Sequence, residues 1–240
     1  TIETSHLTAQ IDSHSLQAFY SIDMQVKKNL AKVLAGFKAH RVGAHHFSSV
    51  SGYGHDDLGR DTLDKVFAQI VEAEAAAVRV QFVSGTHAIA CALFGVLRPG
   101  DEMLAIAGIP YDTLEEVIGT RGCGQGSLKD FGVDYRELAL TEDNEVDFDR
   151  LASSISEKTR LVLIQRSCGY SWRSSLSIHN INKIIQLVKR QNINTICFVD
   201  NCYGEFTETQ EPTAVGADLM AGSLIKNPGG TIATTGGYIA

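Results

Sequence analysis

Apolar side chains near the start of the chain recur with helical spacing. One group comprises Val26, Leu30, Val33, Leu34 and Phe37, and a second comprises Leu63, Val66, Phe67, Ile70 and Val71. Residues three and four apart lie on the same side of a helix, so each group forms an apolar stripe. Two amphipathic helices are therefore predicted before the first strand.

From residue 78 onward the pattern alternates between short apolar runs and helical stretches. The runs predict strands over 78–83, 102–106, 133–139, 160–165, 195–200 and 220–226. The stretches between them predict helices over 86–97, 112–119, 147–155 and 178–190. No repeat, low-complexity tract or proline-rich linker interrupts this alternation. The sequence therefore predicts an α/β fold with a mixed, mostly parallel sheet covered on both faces.

Composition and charge exclude several classes of function. The chain has 240 residues, 44% of them hydrophobic, and a net charge of −7. An excess of acidic residues argues against binding to nucleic acid or to an anionic membrane surface. No apolar segment is long enough to span a bilayer, and the polar start lacks the apolar core of a secretory signal. We therefore expect a cytoplasmic protein.

Cysteines and histidines do not form a recognisable disulfide or metal pattern. The five cysteines include no CxxC pair, and an odd number cannot close into a full disulfide set. His45 and His46 are adjacent and would point to opposite sides of an extended segment. We expect free thiols and no metal site. Cys202 lies two residues after an aspartate, and we expect it to be a small packing residue rather than a catalytic thiol.

An aspartate and a lysine end two of the predicted strands. Asp200 closes the apolar run 195–199, and Lys226 closes the run 220–225. Ligands in open α/β sheets bind at the carboxyl ends of the strands. Pyridoxal 5′-phosphate (PLP) needs a lysine amine for its aldehyde and an anion for its ring nitrogen. The pair therefore suits PLP.

The predicted turn between the strand over 78–83 and the following helix contains Ser84, Gly85 and Thr86. Amides at a helix N-terminus bind anions, and glycine allows the backbone to approach closely. The same residues also fit an ordinary Ser or Thr N-cap. The glycines of 119–128 do not lie between a strand and a helix, so a dinucleotide-binding loop is not predicted there.

Five motifs carry a resemblance to a known family: GYGHDD at 52–57, SGTHA at 84–88, GIPYDTLEEVIG at 108–119, VDNCYGEF at 199–206 and SLIKNPGG at 223–230. In order and spacing the chain resembles fold-type-I PLP enzymes, within them the group related to cystathionine and methionine lyases that is often called aluminium-resistance protein. The resemblance implies an aspartate aminotransferase-like large domain preceded by N-terminal helices. It divides the chain into a helical segment with a dimer-contact arm over 1–60 and the PLP-binding domain over 61–240. A C-terminal small domain, with the arginine that binds the substrate carboxylate, is expected outside this chain.

The resemblance also implies roles for individual residues. It places the PLP phosphate on the turn at 84–86, with Ser223 as a second donor. It stacks Tyr111 on the pyridine ring and gives the Tyr111 hydroxyl a catalytic part in proton transfer. Tyr111 could instead staple its loop to the next helix. Tyr53 would reach across a dimer interface to the neighbour's phosphate, although the arginine of that pattern is missing or displaced to Arg60. A homodimer or homotetramer is therefore expected.

Residues beside the key strand ends allow more than one interpretation. Gln165, Arg166 and Ser167 end the apolar run 161–164, and Tyr170 and Arg173 follow in the same loop. Their position favours a role near the cofactor's phenolic oxygen or the substrate, but solvated loop arginines are equally common. Asn201 and Glu205 lie near Asp200 in the motif 199–206 and could orient the Asp200 carboxylate by hydrogen bonds.

The residues favour a PLP enzyme, and the resemblance implies a carbon–sulfur lyase that acts on a small sulfur-containing amino acid. Lys226 would bind the cofactor and then move the substrate's α-proton, and Asp200 would keep the pyridine nitrogen protonated. An aminotransferase or an aldolase of the same fold would use the same residues. A non-catalytic scaffold that keeps the fold is the alternative from another class, and it would not need the lysine.

Overall fold

The computed structural model describes residues 2–50, 53 and 55–240, with side chains described from residue 15 onward. Its helices are α1 Ile2–Ala39, α2 Leu58–Val71, α3 Gly85–Val96, α4 Asp112–Ile118, α5 Phe148–Ser154 and α6 Ile178–Gln191. Its strands are β1 Ala77–Arg79, β2 Glu102–Ala105, β3 Asp134–Glu137, β4 Thr159–Gln165, β5 Ile196–Asp200, β6 Leu219–Ser223 and β7 Gly237–Ile239. Short 3-10 helices cover Ala44–Phe47, Pro212–Val215 and Asn227–Gly229.

The described strands form one seven-stranded sheet in the order β1-β7-β6-β5-β4-β2-β3. The strands from β3 to β6 in that order pair in parallel, whereas β7 pairs antiparallel with β6 on one side and β1 on the other. The carboxyl ends of β4, β5 and β6 therefore meet at one edge of the sheet. The predicted α/β fold with a mixed, mostly parallel sheet is confirmed.

Alternate side chains of the central strands enter two apolar layers, one on each face of the sheet. In β4, Leu161 and Leu163 pack in the layer formed with α3 and α4, and Val162 and Ile164 pack in the layer formed with α5 and α6. All four side chains are buried. Such two-sided burial makes a strand read as a continuous apolar run, which is why the sequence pattern located β4 closely.

Two strands end earlier than the sequence predicts, and one strand was not predicted. The strand predicted over 78–83 is shorter, because β1 pairs only with the three residues of β7 and then turns at 80–83. The strand predicted over 220–226 ends at Ser223, so Lys226 lies three residues beyond it, in a turn. The sequence analysis missed β7, because three residues are too few to show a periodic pattern.

Only part of the apolar stripe of α1 packs on the domain, through Val33, which contacts the buried cluster that includes Val66 and Ile70 of α2. Val26, Leu30 and Leu34 are each more than half exposed, whereas Asn29 is buried at 6% exposure. The Asn29 amide donates to the backbone oxygens of Phe206 (2.8 Å) and Glu208 (3.1 Å). Polar anchors therefore hold α1 against the loop after β5. In the part of the chain that the structure describes, no helix is both long and apolar enough to span a bilayer.

Candidate active site

A cavity of about 670 Å³ opens at the carboxyl ends of β5 and β6 and at the start of α3. Seven of the eight residues predicted for the site line it, the exception being Tyr53. They are Ser84, Gly85, Thr86, Tyr111, Asp200, Ser223 and Lys226. Residues separated by more than 140 positions in sequence therefore meet in one place, as the strand-end argument predicted. We call this space the site cavity.

Asp200 is the acidic group of the site cavity. It ends β5, in register with Gln165 on β4 and Ala221 on β6, and is 2% exposed. Its Oδ1 accepts a hydrogen bond from the backbone amide of Cys202 (3.1 Å). Burial raises the pKa of the Asp200 carboxyl to about 6, since the charged form is separated from water. A cationic ring nitrogen would supply the missing counter-charge.

The N-terminus of α3 forms a concave backbone surface at one end of the site cavity. Ser84 is the N-cap, and its hydroxyl accepts from the amide of His87 (3.1 Å). The next amides, of Gly85 and Thr86, belong to the first helical turn, where N–H groups have no intrahelical acceptor. A Cβ at Gly85 would lie 3.0 Å from both Cys202 Sγ and Ser223 Cβ, so only a glycine lets the helix start pack this closely on these two residues. Ser84 is the N-cap that the sequence allowed, and it also lines the cavity in which a phosphate was predicted.

Tyr111 closes the cavity on the side of α4. It is the N-cap residue of α4, and its hydroxyl lies 3.1 Å from the Thr86 hydroxyl. Burial raises the pKa of the Tyr111 hydroxyl well above its usual value, and the nearby Asp200 raises it further. The ring therefore presents a neutral aromatic wall. Stacking on a pyridine ring stays a prediction.

Lys226 reaches the cavity from the turn after β6. Its ammonium contacts the Tyr203 hydroxyl and lies 4.1 Å from the centroid of the Tyr203 ring. The following residue, Asn227, donates to the backbone oxygens of Tyr203 (3.2 Å) and Glu205 (2.8 Å). The loop after β5 therefore holds the lysine turn in place. Sequence reasoning missed Tyr203, although it stands three residues after Asp200 within a motif that was singled out.

Cys202 packs at the base of the cavity, as predicted for a small residue. It lies within packing distance of Gly85 and lines the same cavity as Ser223. Burial raises the pKa of its thiol, as does the charge of Asp200, so the thiolate is disfavoured. All five cysteines are free, which confirms the predicted thiols.

Arg166 and Arg173 have a different role from either predicted one. They are 2% and 6% exposed, and neither lines the site cavity. Arg166 donates to Asn201 Oδ1 (2.8 Å) and pairs with Glu208 (3.0 Å). Arg173 donates to the backbone oxygen of Gln165 (2.7 Å). Both arginines therefore satisfy buried polar groups behind the site, since a buried charge requires such partners.

Asn201 and Glu205 also differ from their predicted role. Asn201 Nδ2 donates to Glu211 (3.0 Å) and, over 3.4 Å, to the Tyr238 hydroxyl. Glu205 accepts from the Tyr238 hydroxyl (2.8 Å). In the described part of the chain, these hydrogen bonds do not reach the Asp200 carboxylate. The two residues belong to a buried polar network behind β6.

Tyr53 lies outside the site cavity. Its side chain is 86% exposed, and residues 51, 52 and 54 beside it lie outside the described part of the chain. The predicted contact is with a neighbouring subunit, so a single chain does not test it. Its role, the division of the chain at residue 60 and the oligomeric state stay predictions.

The fold and the site define a class of protein. A parallel sheet with one antiparallel strand, a buried strand-end aspartate and a lysine turn form the large domain of fold-type-I PLP-dependent enzymes. Within that class the chain belongs to the methionine gamma-lyase family, whose model matches residues 4–240.

Several relatives are similar over nearly the whole of this chain. The uncharacterised protein YnbB of Bacillus subtilis is 55% identical over 214 residues, which are 89% of this chain and 51% of YnbB. The structure of a Listeria monocytogenes protein involved in aluminium resistance has a TM-score of 0.94 and 52% identity, covering 96% of this chain and 57% of that one. A carbon-sulfur lyase involved in aluminium resistance from Clostridium novyi has a TM-score of 0.89 and 49% identity, covering 93% and 54%. The chain spans about half the length of these relatives.

Proposed function

We propose that the site cavity holds PLP and that the protein is a carbon–sulfur lyase acting on a sulfur-containing amino acid. One observation carries the proposal. An amine from Lys226, the buried carboxylate of Asp200 and the helix N-terminus at Gly85 converge on one cavity. These are the groups needed by the aldehyde, the ring nitrogen and the phosphate of PLP.

The residues fit the cofactor by shape as well as by charge. Gly85 lets the N-terminus of α3 pack closely on Cys202 and Ser223, so the first amides of α3 and Ser223 line the same cavity, where they could bind a phosphate together. Asp200 lacks a cationic partner among the described residues that contact it, and a pyridinium nitrogen would provide one. PLP, when bound, supplies an electron sink for the bond pair at the substrate's α-carbon.

Lys226 is the base in this proposal. With PLP bound, the Lys226 amine would hold its aldehyde and, once freed, would be placed to remove the substrate's α-proton. The Tyr203 hydroxyl and ring hold the lysine head at the cavity mouth. The carbon–sulfur bond then breaks, and the sulfur leaves with the electron pair and takes up a proton. With one water consumed, the products are a thiol, ammonia and a 2-oxo acid.

Borohydride reduction followed by peptide mass mapping tests the attachment point. A phosphopyridoxyl adduct is expected on Lys226 in the full-length protein. The adduct should be absent in Lys226→Ala and present in Lys183→Ala, which removes an amine from α6. An adduct on another lysine, or none after incubation with PLP, would overturn the assignment.

Product analysis tests the reaction class. Incubation of the full-length holoenzyme with cystathionine, S-methylcysteine and methionine should release thiol, ammonia and 2-oxo acid in equal amounts from at least one of them. Amino transfer to a 2-oxo acid acceptor without thiol release would instead identify an aminotransferase.

We also propose that the functional unit is a homodimer or homotetramer in which Tyr53 completes a neighbour's phosphate site. Two observations support this proposal. Tyr53 is exposed rather than packed within its own chain, and Val26, Leu30 and Leu34 of the α1 stripe are each more than half exposed.

A further inference from the structure

Three hydroxyl groups follow one another along the wall of the site cavity. The Thr86 hydroxyl lies 3.1 Å from the Tyr111 hydroxyl and 3.3 Å from the Thr113 hydroxyl. Thr86 belongs to the first turn of α3 and Thr113 to the first turn of α4, so these contacts join the two helices. All three residues line the site cavity. We call the three groups the hydroxyl row.

The two ends of the hydroxyl row have different surroundings. The Tyr111 ring is partly buried against the apolar layer of α3 and α4, whereas Thr113 is exposed. Tyr111 is the N-cap residue of α4, but its hydroxyl does not cap that helix and is directed to Thr86 instead. The hydroxyl row therefore leads from solvent, at Thr113, to the aromatic wall of the cavity.

A row of hydroxyls can pass a proton along its length. Each hydroxyl has one hydrogen to donate and two lone pairs to accept, so Thr113 can donate to Thr86 while Thr86 donates to Tyr111. The Tyr111 hydrogen is then free to point into the cavity. Hydroxyls aligned in this way polarise one another. Separations of 3.1 and 3.3 Å are long for such bonds, as catalytic hydrogen bonds often are before a substrate binds.

The surroundings of Tyr111 do not favour a phenolate. Burial raises the pKa of its hydroxyl, and the charge of Asp200 raises it further. A proton that leaves Tyr111 must therefore be replaced as it departs. Thr86 is the neighbouring group whose hydroxyl lies within reach of the Tyr111 oxygen.

We propose that Thr86 and Thr113 form a proton relay that restores the Tyr111 hydroxyl from solvent. This inference rests on the proposed lyase function, in which the departing sulfur takes up a proton. Tyr111 gives its hydrogen to the sulfur, and the Thr86 hydrogen passes to the Tyr111 oxygen. The Thr113 hydrogen passes to the Thr86 oxygen, and a proton from solvent restores Thr113. One proton enters for each proton delivered, so all three hydroxyls end neutral.

Thiol release and α-proton exchange together separate a relay from a structural role. Thr86→Val keeps the shape of the side chain and the backbone amide but removes the hydroxyl. At saturating PLP, this variant of the full-length holoenzyme should release thiol with a kcat lowered at least tenfold, since general acid catalysis contributes roughly 10²- to 10⁴-fold. The substrate is whichever of cystathionine, S-methylcysteine and methionine the wild type cleaves fastest.

The exchange of the substrate's α-hydrogen in deuterium oxide, followed by NMR, should respond differently. Thr86→Val should change its rate less than about twofold, because Lys226 rather than the relay removes that proton. Thr86→Ser keeps a hydroxyl and should recover most of the lost thiol release. Thr113→Val should show the same pattern as Thr86→Val.

A double variant tests whether Thr86 acts through Tyr111. Adding Thr86→Val to Tyr111→Phe should lower thiol release less than about twofold further, because the relay then has no phenol to restore. Thr209→Val is the matched control, since Thr209 is an exposed threonine that does not line the site cavity. It should leave thiol release unchanged.

Three outcomes would overturn the relay while the lyase function stands. They are equal losses of thiol release and α-proton exchange in Thr86→Val, unchanged thiol release in that variant, and a fully additive loss in the double variant. Failure of the wild type to release thiol from any of the three substrates, with or without α-proton exchange, would instead remove the proposed function and, with it, this inference.

Discussion

Glu205 should make the stability of the protein depend on pH. Its carboxyl is 3% exposed, Oε1 accepts from Tyr238 (2.8 Å), and Oε2 has no partner among the described residues. Burial raises the pKa of Glu205 to about 7 from the ordinary 4.5, and the carboxylates of Glu211 and Asp200 add to this. Between pH 4.5 and about 7, Glu205 therefore keeps its proton in the folded protein but has lost it in the unfolded chain.

The sign and size of the effect follow from that pKa difference. Folding raises the pKa of the Glu205 carboxyl, so the protonated form stabilises the folded state. This contribution to the free energy of unfolding is fully present below pH 4.5 and is lost as pH rises through about 7. At roughly 1.4 kcal/mol per pKa unit, ionisation of Glu205 costs the folded state about 3 kcal/mol by pH 8. Glu205→Gln has nearly the same shape and does not ionise. The difference in unfolding free energy between variant and wild type should therefore shift by about 3 kcal/mol in favour of the variant between pH 5 and pH 8.

Urea unfolding at pH 5, 6, 7 and 8, with both proteins in the same cofactor state, measures this difference. Far-UV circular dichroism is the appropriate signal, because the one tryptophan, Trp172, is 99% exposed and would report poorly on the core. Glu142→Gln is the control, because it removes a charge from an exposed position. Its unfolding free energy should depend on pH in the same way as that of the wild type. The reasoning would be refuted if the difference in unfolding free energy between Glu205→Gln and wild type stayed constant within about 0.5 kcal/mol from pH 5 to pH 8.

Three further predictions concern the site and the assembly. Asp200→Ala removes a charge-assisted bond worth about 1.5 to 3 kcal/mol, so PLP affinity measured by equilibrium dialysis should fall about 10- to 100-fold. Turnover should fall with it, and full activity would contradict the ring-nitrogen role of Asp200. Gly85→Ala places a Cβ 3.0 Å from Cys202 Sγ and Ser223 Cβ, which displaces the start of α3. The protein should fold but bind PLP at least about tenfold more weakly, and unchanged affinity would show that the phosphate does not bind at this turn. Tyr53→Ala should weaken PLP binding in the assembled holoenzyme, and sedimentation showing a stable, fully active wild-type monomer would exclude the cross-subunit contact.

The sequence was most informative where a polar residue ends a buried strand. Asp200 follows four consecutive buried or nearly buried residues of β5, and that position alone placed it at the sheet edge. Lys226 was assigned to the same edge although its strand ends earlier, at Ser223. The turn over 224–226 carries it to the cavity. Local pattern therefore located the site, while the details of the turn depend on contacts with Tyr203.

Contacts between distant segments set the limits of sequence reasoning. Amphipathic spacing in α1 predicted a helix but not the side that packs, because Asn29 finds its partners on a loop far along the chain. Arg166 resembled a loop arginine in sequence, and its buried partner Glu211 is 45 residues away. Periodicity reports which residues are apolar. It does not report which polar residues will find hydrogen bonds inside the fold.

The anchors of α1 also have a consequence for synthesis. Gln25, Asn29 and Lys32 bind backbone oxygens of residues 206–209, which lie 177 to 182 positions later in the chain. At translation rates of roughly 5 to 20 residues per second, those oxygens emerge roughly 10 to 40 s after the helix. During that interval α1 has neither its polar anchors nor the sheet. Docking of α1 should therefore be a late step of folding on the ribosome, because it has to wait for the loop after β5.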